Sequence, residues 1–210
     1  YRIFGAKEDY GVKLYSRKIL IQENFKEVLP KYLRFIEGVV DSEDLPLNIS
    51  RESVQRNPVV RRISKAITGQ IHKSLKELGQ ESPDEYRVFW EAFGLFIKEG
   101  LTMDPSSRDD LLPLLRFHYS RAGEDLIDLD KYVEGMIADQ EKIYYVLGED
   151  LETLNRSPHL DYFQANDLEV LYLVDPLDGF MAQALQTYQE KPLQNVDDAA
   201  LRPGIQDRAI

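Results

Sequence analysis

Two side chains in this sequence have the type and spacing to contact an anion. Arg51 and Gln55 lie four residues apart, just after Asn48 and Ser50, which are residue types that start helices. On a helix such a pair shares one face, about one turn apart. A guanidinium presents five donors, an amide adds two more, and the first turn of a helix offers backbone N–H groups with no intrahelical acceptor. Together these can hold a phosphate or another anion. The same spacing also describes an ordinary capped surface helix, and residue chemistry alone leaves the two readings open.

The pair sits inside a longer run, Val39 to Gln55, reading VVDSEDLPLNISRESVQ, in which a turn-forming DSED leads into the extended Leu45-Pro46-Leu47. This run resembles the signature of the ninety-kilodalton heat-shock chaperones of the bacterial HtpG type, which carry VVDSEDLPLN(I/L)SRE and a Gln at the same offset. Further along, Leu114-Leu115-Arg116-Phe117, Tyr144-Tyr145-Val146-Leu147-Gly148-Glu149 and Val174-Asp175-Pro176-Leu177-Asp178 are similar to segments of the same family. The resemblance implies a middle domain. It also implies that Arg51 and Gln55 reach toward the γ-phosphate of ATP, held with Mg by a separate N-terminal ATPase domain. Arg51 would stabilise charge there as an arginine finger does, and Gln55 would orient the Arg or the phosphate oxygens. The full-length parent is expected to be an ATPase, and this segment alone is expected to be inactive with no cofactor of its own.

Composition narrows the class. A chain of 210 residues that is 43% hydrophobic and 30% charged should fold around one large or two modest cores. Its net charge of −11 argues against general nucleic-acid binding. No apolar run is long enough for a transmembrane helix, and the first residues lack the apolar core of a signal peptide, so no membrane partner is expected. Cys is absent, which removes disulfides and thiolate chemistry and fits a cytoplasmic protein. The chain begins at Tyr1 rather than Met, so it is expected to be a piece of a longer protein.

The elements that must position Arg51 and Gln55 follow from periodicity. Val12 to Ile21 reads as one strand. Glu23 to Glu37 reads as a helix, with Phe25, Val28, Leu29, Leu33 and Ile36 on its buried face and a kink at Pro30. Asn57-Pro58 starts a second helix that Gly79 should end near Leu78, with Val60, Ile63, Ile67, Ile71 and Leu75 as its stripe. Pro83 to Gly100 is a third helix; Val88, Phe89, Trp90, Phe93, Phe96 and Ile97 cover more than one of its faces. Ser106 or Ser107 should cap a short helix, and Leu129 to Met136 forms another. Lys142 to Leu147 and Leu168 to Val174 read as strands, with helices over Leu151 to Asn155 and His159 to Ala165 between them. That β–α–α–β order favours a small parallel sheet. A helix from Leu177 to Tyr188 follows, and the polar remainder after Pro192 reads as a partly ordered tail.

The expected fold class is therefore α/β, with two α/β sandwich subdomains, the first truncated, joined by a helical connector. Residues 1–56 would be the remainder of the first subdomain with the catalytic loop, 57–138 the connector, 139–192 a small α/β subdomain, and 193–210 a tail toward a missing C-terminal domain. In the family, dimerisation lies mainly in that C-terminal domain, so the parent is expected to be a homodimer.

Other candidate sites are weaker. Between Arg51 and Lys76 there are seven basic residues (Arg51, Arg56, Arg61, Arg62, Lys65, Lys73, Lys76) and one acidic residue, Glu52. This could be a solvated helix face, or a face turned toward a phosphate or an acidic partner; without interleaved aromatics it does not suit nucleic acid. His72, His118 and His159 lack metal-ligand spacing, and Gly148 lacks the companion glycines of a dinucleotide loop. Phe180 and Met181, if they face outward, would form an adaptable apolar surface. The family places client-protein contacts near this point, which implies Phe180, Met181 and Gln183 as partner-binding residues, although Gly179-Phe180 stands where bacterial members often have an acidic residue and Trp. The alternative to a chaperone segment is a non-enzymatic acidic protein-interaction module.

Overall fold

The computed structural model describes residues 10–45, 57–121 and 125–198. The fold is α/β with two sheets, and the chain divides into two compact units, one up to Gly100 and one from Leu101 onward. Among the described residues no helix is long and apolar enough to cross a membrane.

In the first unit, β1 (Val12–Ser16) is the centre of a three-stranded sheet in the order β2-β1-β3, antiparallel to β2 (Ile19–Phe25) and parallel to β3 (Val39–Asp41). The single strand expected over Val12 to Ile21 is instead a hairpin. Arg17 and Lys18 both take positive φ, 50° and 66°, which is the backbone of a tight two-residue turn whose twist matches the strands. The Lys18 N–H donates to both carboxylate oxygens of Asp41, at 3.3 and 3.1 Å, and fastens the turn to β3. Gly11, at φ 128°, is required where the chain enters β1, because a Cβ there would meet the Asn24 backbone at 2.7 Å.

The helix expected over Glu23 to Glu37 does not form. β2 continues through Phe25, and after Pro30 only a single 3-10 turn, Lys31–Leu33, is made. Pro30 has no N–H to donate and its ring would clash with a preceding helical turn. The apolar residues are buried all the same: Phe25 at the end of β2, Val28 in the turn after it, and Tyr32 and Leu33 in the 3-10 turn.

Helix α1 (Pro58–Glu81) starts where expected, with the Asn57 side chain accepting from the Val59 N–H at 2.8 Å and Pro58 in the first turn. It passes through Gly79 and ends at Ser82, because Pro83 is the first residue unable to continue it. Helix α2 (Pro83–Met103) begins there. The turn before β3 packs on both helices. Tyr32 Oη and His72 Nε2 of α1 are 3.0 Å apart, and Phe35 stacks on Phe93 of α2 at 4.5 Å. Arg34 donates to Glu99 of α2 at 2.6 Å with both side chains less than a tenth exposed. Val88, expected to help cover α2, is instead exposed.

The second unit is built on a five-stranded sheet, β4-β6-β5-β8-β7: β4 (His118–Tyr119), β5 (Ile143–Leu147), β6 (Val170–Leu173), β7 (Thr187–Tyr188) and β8 (Lys191–Asn195). As expected, β5 and β6 pair in parallel, and the four residues of β6 are all buried. The short helices α3 (Arg108–Leu111), α4 (Leu129–Glu134), α5 (Leu151–Asn155) and α6 (Asp161–Ala165) accompany it. Leu154 of α5, Leu160 and Phe163 of α6 join Val146, Val170 and Tyr172 in one core. Ser107 stands at the N-cap position of α3, as expected, but without a side-chain cap bond, and the turn before it is capped by Asp104, whose carboxylate accepts from the Ser106 and Ser107 hydroxyls at 2.5 and 2.7 Å. These bonds, Ser106 first, hold Asp104 below the usual carboxylate pKa.

The chain beyond Pro192 departs from expectation. Lys191–Asn195 is an interior strand, parallel to β5, so the expected tail is sheet over residues 193–195. The helix expected to reach Tyr188 stops at Leu185, where Gln186 turns at φ 47° into β7. The outermost strands, β4 and β7, are two residues each, which leaves little edge to pair with another chain.

One hydroxyl ties these elements together. Tyr132 of α4 donates through Oη to the Glu169 carbonyl at 2.6 Å, and accepts from the Tyr144 N–H of β5 at 3.0 Å and the Gln140 amide at 3.3 Å. Burial is the main reason its pKa is pushed up to about 12 from 10.0. Tyr132→Phe leaves three groups without this partner and is expected to cost about 1–3 kcal/mol of stability in denaturant unfolding. Because the folded pKa is the higher one, the contribution is intact below pH 10 and is lost as pH rises to about 12. The variant should therefore show a shallower alkaline loss, by about 2–3 kcal/mol over that interval, in unfolding midpoints measured across it.

Candidate functional site

Arg51 and Gln55 lie outside the described residues, but both ends of the chain that carries them are fixed. On the entry side, the Ser42 N–H after β3 bonds the Tyr15 carbonyl at 3.1 Å, and Ser16 Oγ donates to the Leu45 carbonyl at 2.5 Å. Leu45 is buried with Val12, Leu14, Phe25 and Val28. On the exit side, Val60 in the first turn of α1 enters that same cluster, while Val59, Ile63 and Ile67 pack against it. Residues 46–56 thus leave and rejoin one core.

The outward face of α1 carries the cations. Arg61, Arg62, Lys65, Lys73 and Lys76 are exposed, as are Ala66, Gly69, Gln70 and Ser74 between them. Two long, solvent-exposed ion pairs touch this face, Arg62 to Asp44 at 3.4 Å and Lys73 to Glu77 at 3.7 Å. Such pairs hold little charge in place. The apolar stripe on the opposite face is only half-buried below Val60, and His72, outside that stripe, is buried against Tyr32.

The second candidate site is helix α7 (Asp178–Leu185), which follows β6 through a tight turn. Asp178 closes that turn: its N–H bonds the Asp175 carbonyl at 3.0 Å, and its carboxylate accepts from the Asp175 N–H at 2.9 Å. The far end is held by Arg108, whose guanidinium donates to the Leu185 and Thr187 carbonyls at 2.9 and 2.8 Å, a favourable place for a cation at a helix C-terminus. Asp178, Met181, Ala182 and Leu185 form the buried face at i, i+3, i+4 and i+7. The structure separates the three residues proposed to bind partners. Met181 has 0% exposure and belongs to the core, so it forms no outward surface; Phe180 is 66% exposed, and Gln183 is exposed beside it. Neighbours on a helix differ by about 100° in direction, a signal that could have parted Phe180 from Met181 in the sequence. Arg108, which sets the end of this helix, carries no such signal.

A shallow cavity of about 240 Å³ in the second unit is lined by Ile137 to Lys142, Tyr144 and Leu168. Its lining has no His and no nucleophile with an adjacent base, so it offers no catalytic arrangement. Among the described residues, no group of three metal-ligating side chains comes together.

Phe180→Ala is expected to change stability by no more than about 0.5 kcal/mol, whereas Met181→Ala should cost about 2–5 kcal/mol by opening a cavity. Denaturant midpoints of the two variants measured side by side check the separation.

Comparison with known proteins places this geometry. A family model described as Hsp90 protein matches residues 1–207. The chain is 39% identical over 198 residues to the chaperone protein HtpG of Ehrlichia canis (strain Jake), covering 93% of this chain and 31% of that relative. It is 42% identical over 196 residues to the chaperone protein HtpG of Chlorobium luteolum, and 41% identical over 198 residues to that of Halorhodospira halophila, with the same two coverages. The chain thus spans about a third of the length of these relatives.

Proposed function

The chain belongs to the Hsp90 protein family, and we propose on that premise that it is the middle-domain segment of an ATP-dependent chaperone of the HtpG type. In this reading Arg51 and Gln55 complete a nucleotide site whose other parts, ATP and its Mg included, sit on a separate N-terminal domain. A guanidinium brought to the γ-phosphate offsets charge that builds up as the phosphoryl group is transferred, and Gln55 steadies either the guanidinium or the phosphate oxygens. Turnover is then set by docking of the domains rather than by chemistry inside this chain. The observation that carries the proposal is the run Val39 to Gln55 within a family match over residues 1–207. The way residues 46–56 start and finish on one core supports it, since a residue that must meet another domain's substrate needs a fixed base.

Client proteins are the proposed partners, with the exposed Phe180 and Gln183 of α7 as contact residues. Met181 is buried and takes no part in that contact surface. The other domains of the parent chain are the remaining partners, the parent acts as a homodimer, and the cytoplasm is the proposed compartment.

Arg51→Ala in the full-length parent is expected to lower steady-state ATP turnover roughly 10- to 1000-fold, the loss typical of one stabilising donor. ATP affinity and the thermal midpoint should stay near those of the unmodified protein. Turnover unchanged by this substitution would remove Arg51 from the nucleotide site.

A further inference from the structure

We propose that the outward face of α1 is a docking surface for an acidic polypeptide segment, which lies along the helix and comes to backbone contact at Gly69. The proposal uses neither Arg51 nor Gln55 and is independent of the nucleotide reading above.

Helical geometry gathers the cations into a stripe. At about 100° per residue, Arg61, Lys65, Lys76, Arg62 and Lys73 all fall within about 120° of arc, and Gly69 lies near the middle of it; His72, buried against Tyr32, lies toward the Arg61 edge of the same arc, so the stripe is open on its Gly69 and Lys73 side. Arg61 to Lys76 spans about 22 Å at 1.5 Å per residue. All six positions are exposed. Arg61, Lys65 and Lys76 form no ion pair with the described residues, and the two pairs made by Arg62 and Lys73 are long and solvated. Among the described residues the stripe is therefore largely uncompensated.

Gly69 is the second observation. Glycine is among the poorest residues for a helix interior, and a close approach of another backbone is one use of it. No described residue makes that approach here. A Cβ built at Gly69 meets nothing within 4 Å, and the residue is not among those with positive φ. The space above it faces solvent, with Lys65 one turn before and Lys73 one turn after. A bare backbone flanked by cations lets a partner's main chain approach while its carboxylates reach the ammonium and guanidinium groups on either side.

The chemistry of the partner follows. No aromatic side chain is exposed on this face, so bases would find no stacking platform. The chain as a whole carries −11, which opposes general binding of a dense polyanion such as nucleic acid. A short acidic segment can be neutralised by five cations while the rest of the surface steers it into register.

The probe is a fluorescent Glu-rich helical peptide of about fifteen residues, matching the stripe in length, titrated against the 210-residue chain by anisotropy. Binding should weaken as salt is raised. Arg61→Glu with Lys65→Glu should lose at least about tenfold in affinity, whereas Lys131→Glu with Arg156→Glu, the same charge change in the second unit, should lose less than about twofold. Gly69→Gln should keep or raise the thermal midpoint and still weaken binding by about tenfold. If the double Glu variant fails to fold, Arg61→Ala with Lys65→Ala carries the same expectation. The proposal is overturned by absence of binding to the unmodified chain, by equal losses in the two charge pairs, or by full binding to Gly69→Gln. A single-stranded oligothymidine that displaces the peptide at equal or lower concentration would also overturn it, in favour of a nucleic-acid surface.

Discussion

Burial of Leu45 and Val60 in one apolar core is the constraint on which the first unit rests. Each such side chain contributes about 1.5–3 kcal/mol when removed from water. Val12 and Leu14 come from β1, Phe25 from the end of β2, and Val28 from the turn that follows, so strand, turn and helix meet in this core. Ser16 adds a directional contact by donating to the carbonyl of Leu45 itself. Residues 46–56 are bounded by these two anchors. The positions of both anchors are set by packing.

The same unit joins its turn to its helices through a buried charge. Arg34 lies against the Phe96 ring at 4.4 Å, bonds the Lys31 carbonyl at 2.9 Å, and meets the Glu99 carboxylate at 2.6 Å. A buried ion pair is seldom a large source of stability, because both charges lose their water. Its value here is positional. An apolar residue in place of Arg34 could slide over the cluster of Phe35, Phe89, Phe93 and Phe96, whereas a guanidinium with three defined contacts fixes one register of the turn on α2.

The parts of this structure legible in the sequence were those set by local pattern. Helices α1 and α2 announced themselves by Asn57-Pro58, Pro83 and their apolar spacing, and β5 and β6 by short apolar runs. What failed did so where a longer-range contact overruled the pattern. The residues from Phe25 to Ile36 have helical spacing and are buried much as a helix would bury them, yet Pro30 and the pairing of β2 with β1 prevent the helix. The hairpin turn at Arg17-Lys18 has no Asn-Gly signature; the clue was a change of phase, with Val12 and Leu14 on even positions and Ile19 and Ile21 on odd ones. Strand β8 reads KPLQN, with no β-branched residue and an internal Pro, and becomes a strand only because Ile143 and Tyr144 present a parallel edge for Leu193 and Gln194. At the candidate sites, residue type and spacing left Arg51 and Gln55 open between an anion contact and a capped surface helix, and it was the resemblance that singled out that run and the helix with Phe180. The core role of Met181 and the capping by Arg108 depend on contacts across the fold, which no local window contains.

Charge is distributed as unevenly as structure. Up to Gly100 the chain has 17 Lys and Arg against 15 Asp and Glu, a net +2; from Leu101 on it has 9 against 22, a net −13. A surface charge is screened within about 10 Å at moderate salt, so each unit presents its own sign to an approaching molecule. The first unit is not uniformly basic either, since most of its exposed surplus is drawn up on one side of α1. Folding does not need that arrangement: the apolar stripe of α1 would be as well buried with acidic residues alternating on the outward face, where i,i+4 pairs would even favour it. The outward face of α1 instead keeps its cations together, with Gly69 in the middle of its most basic stretch.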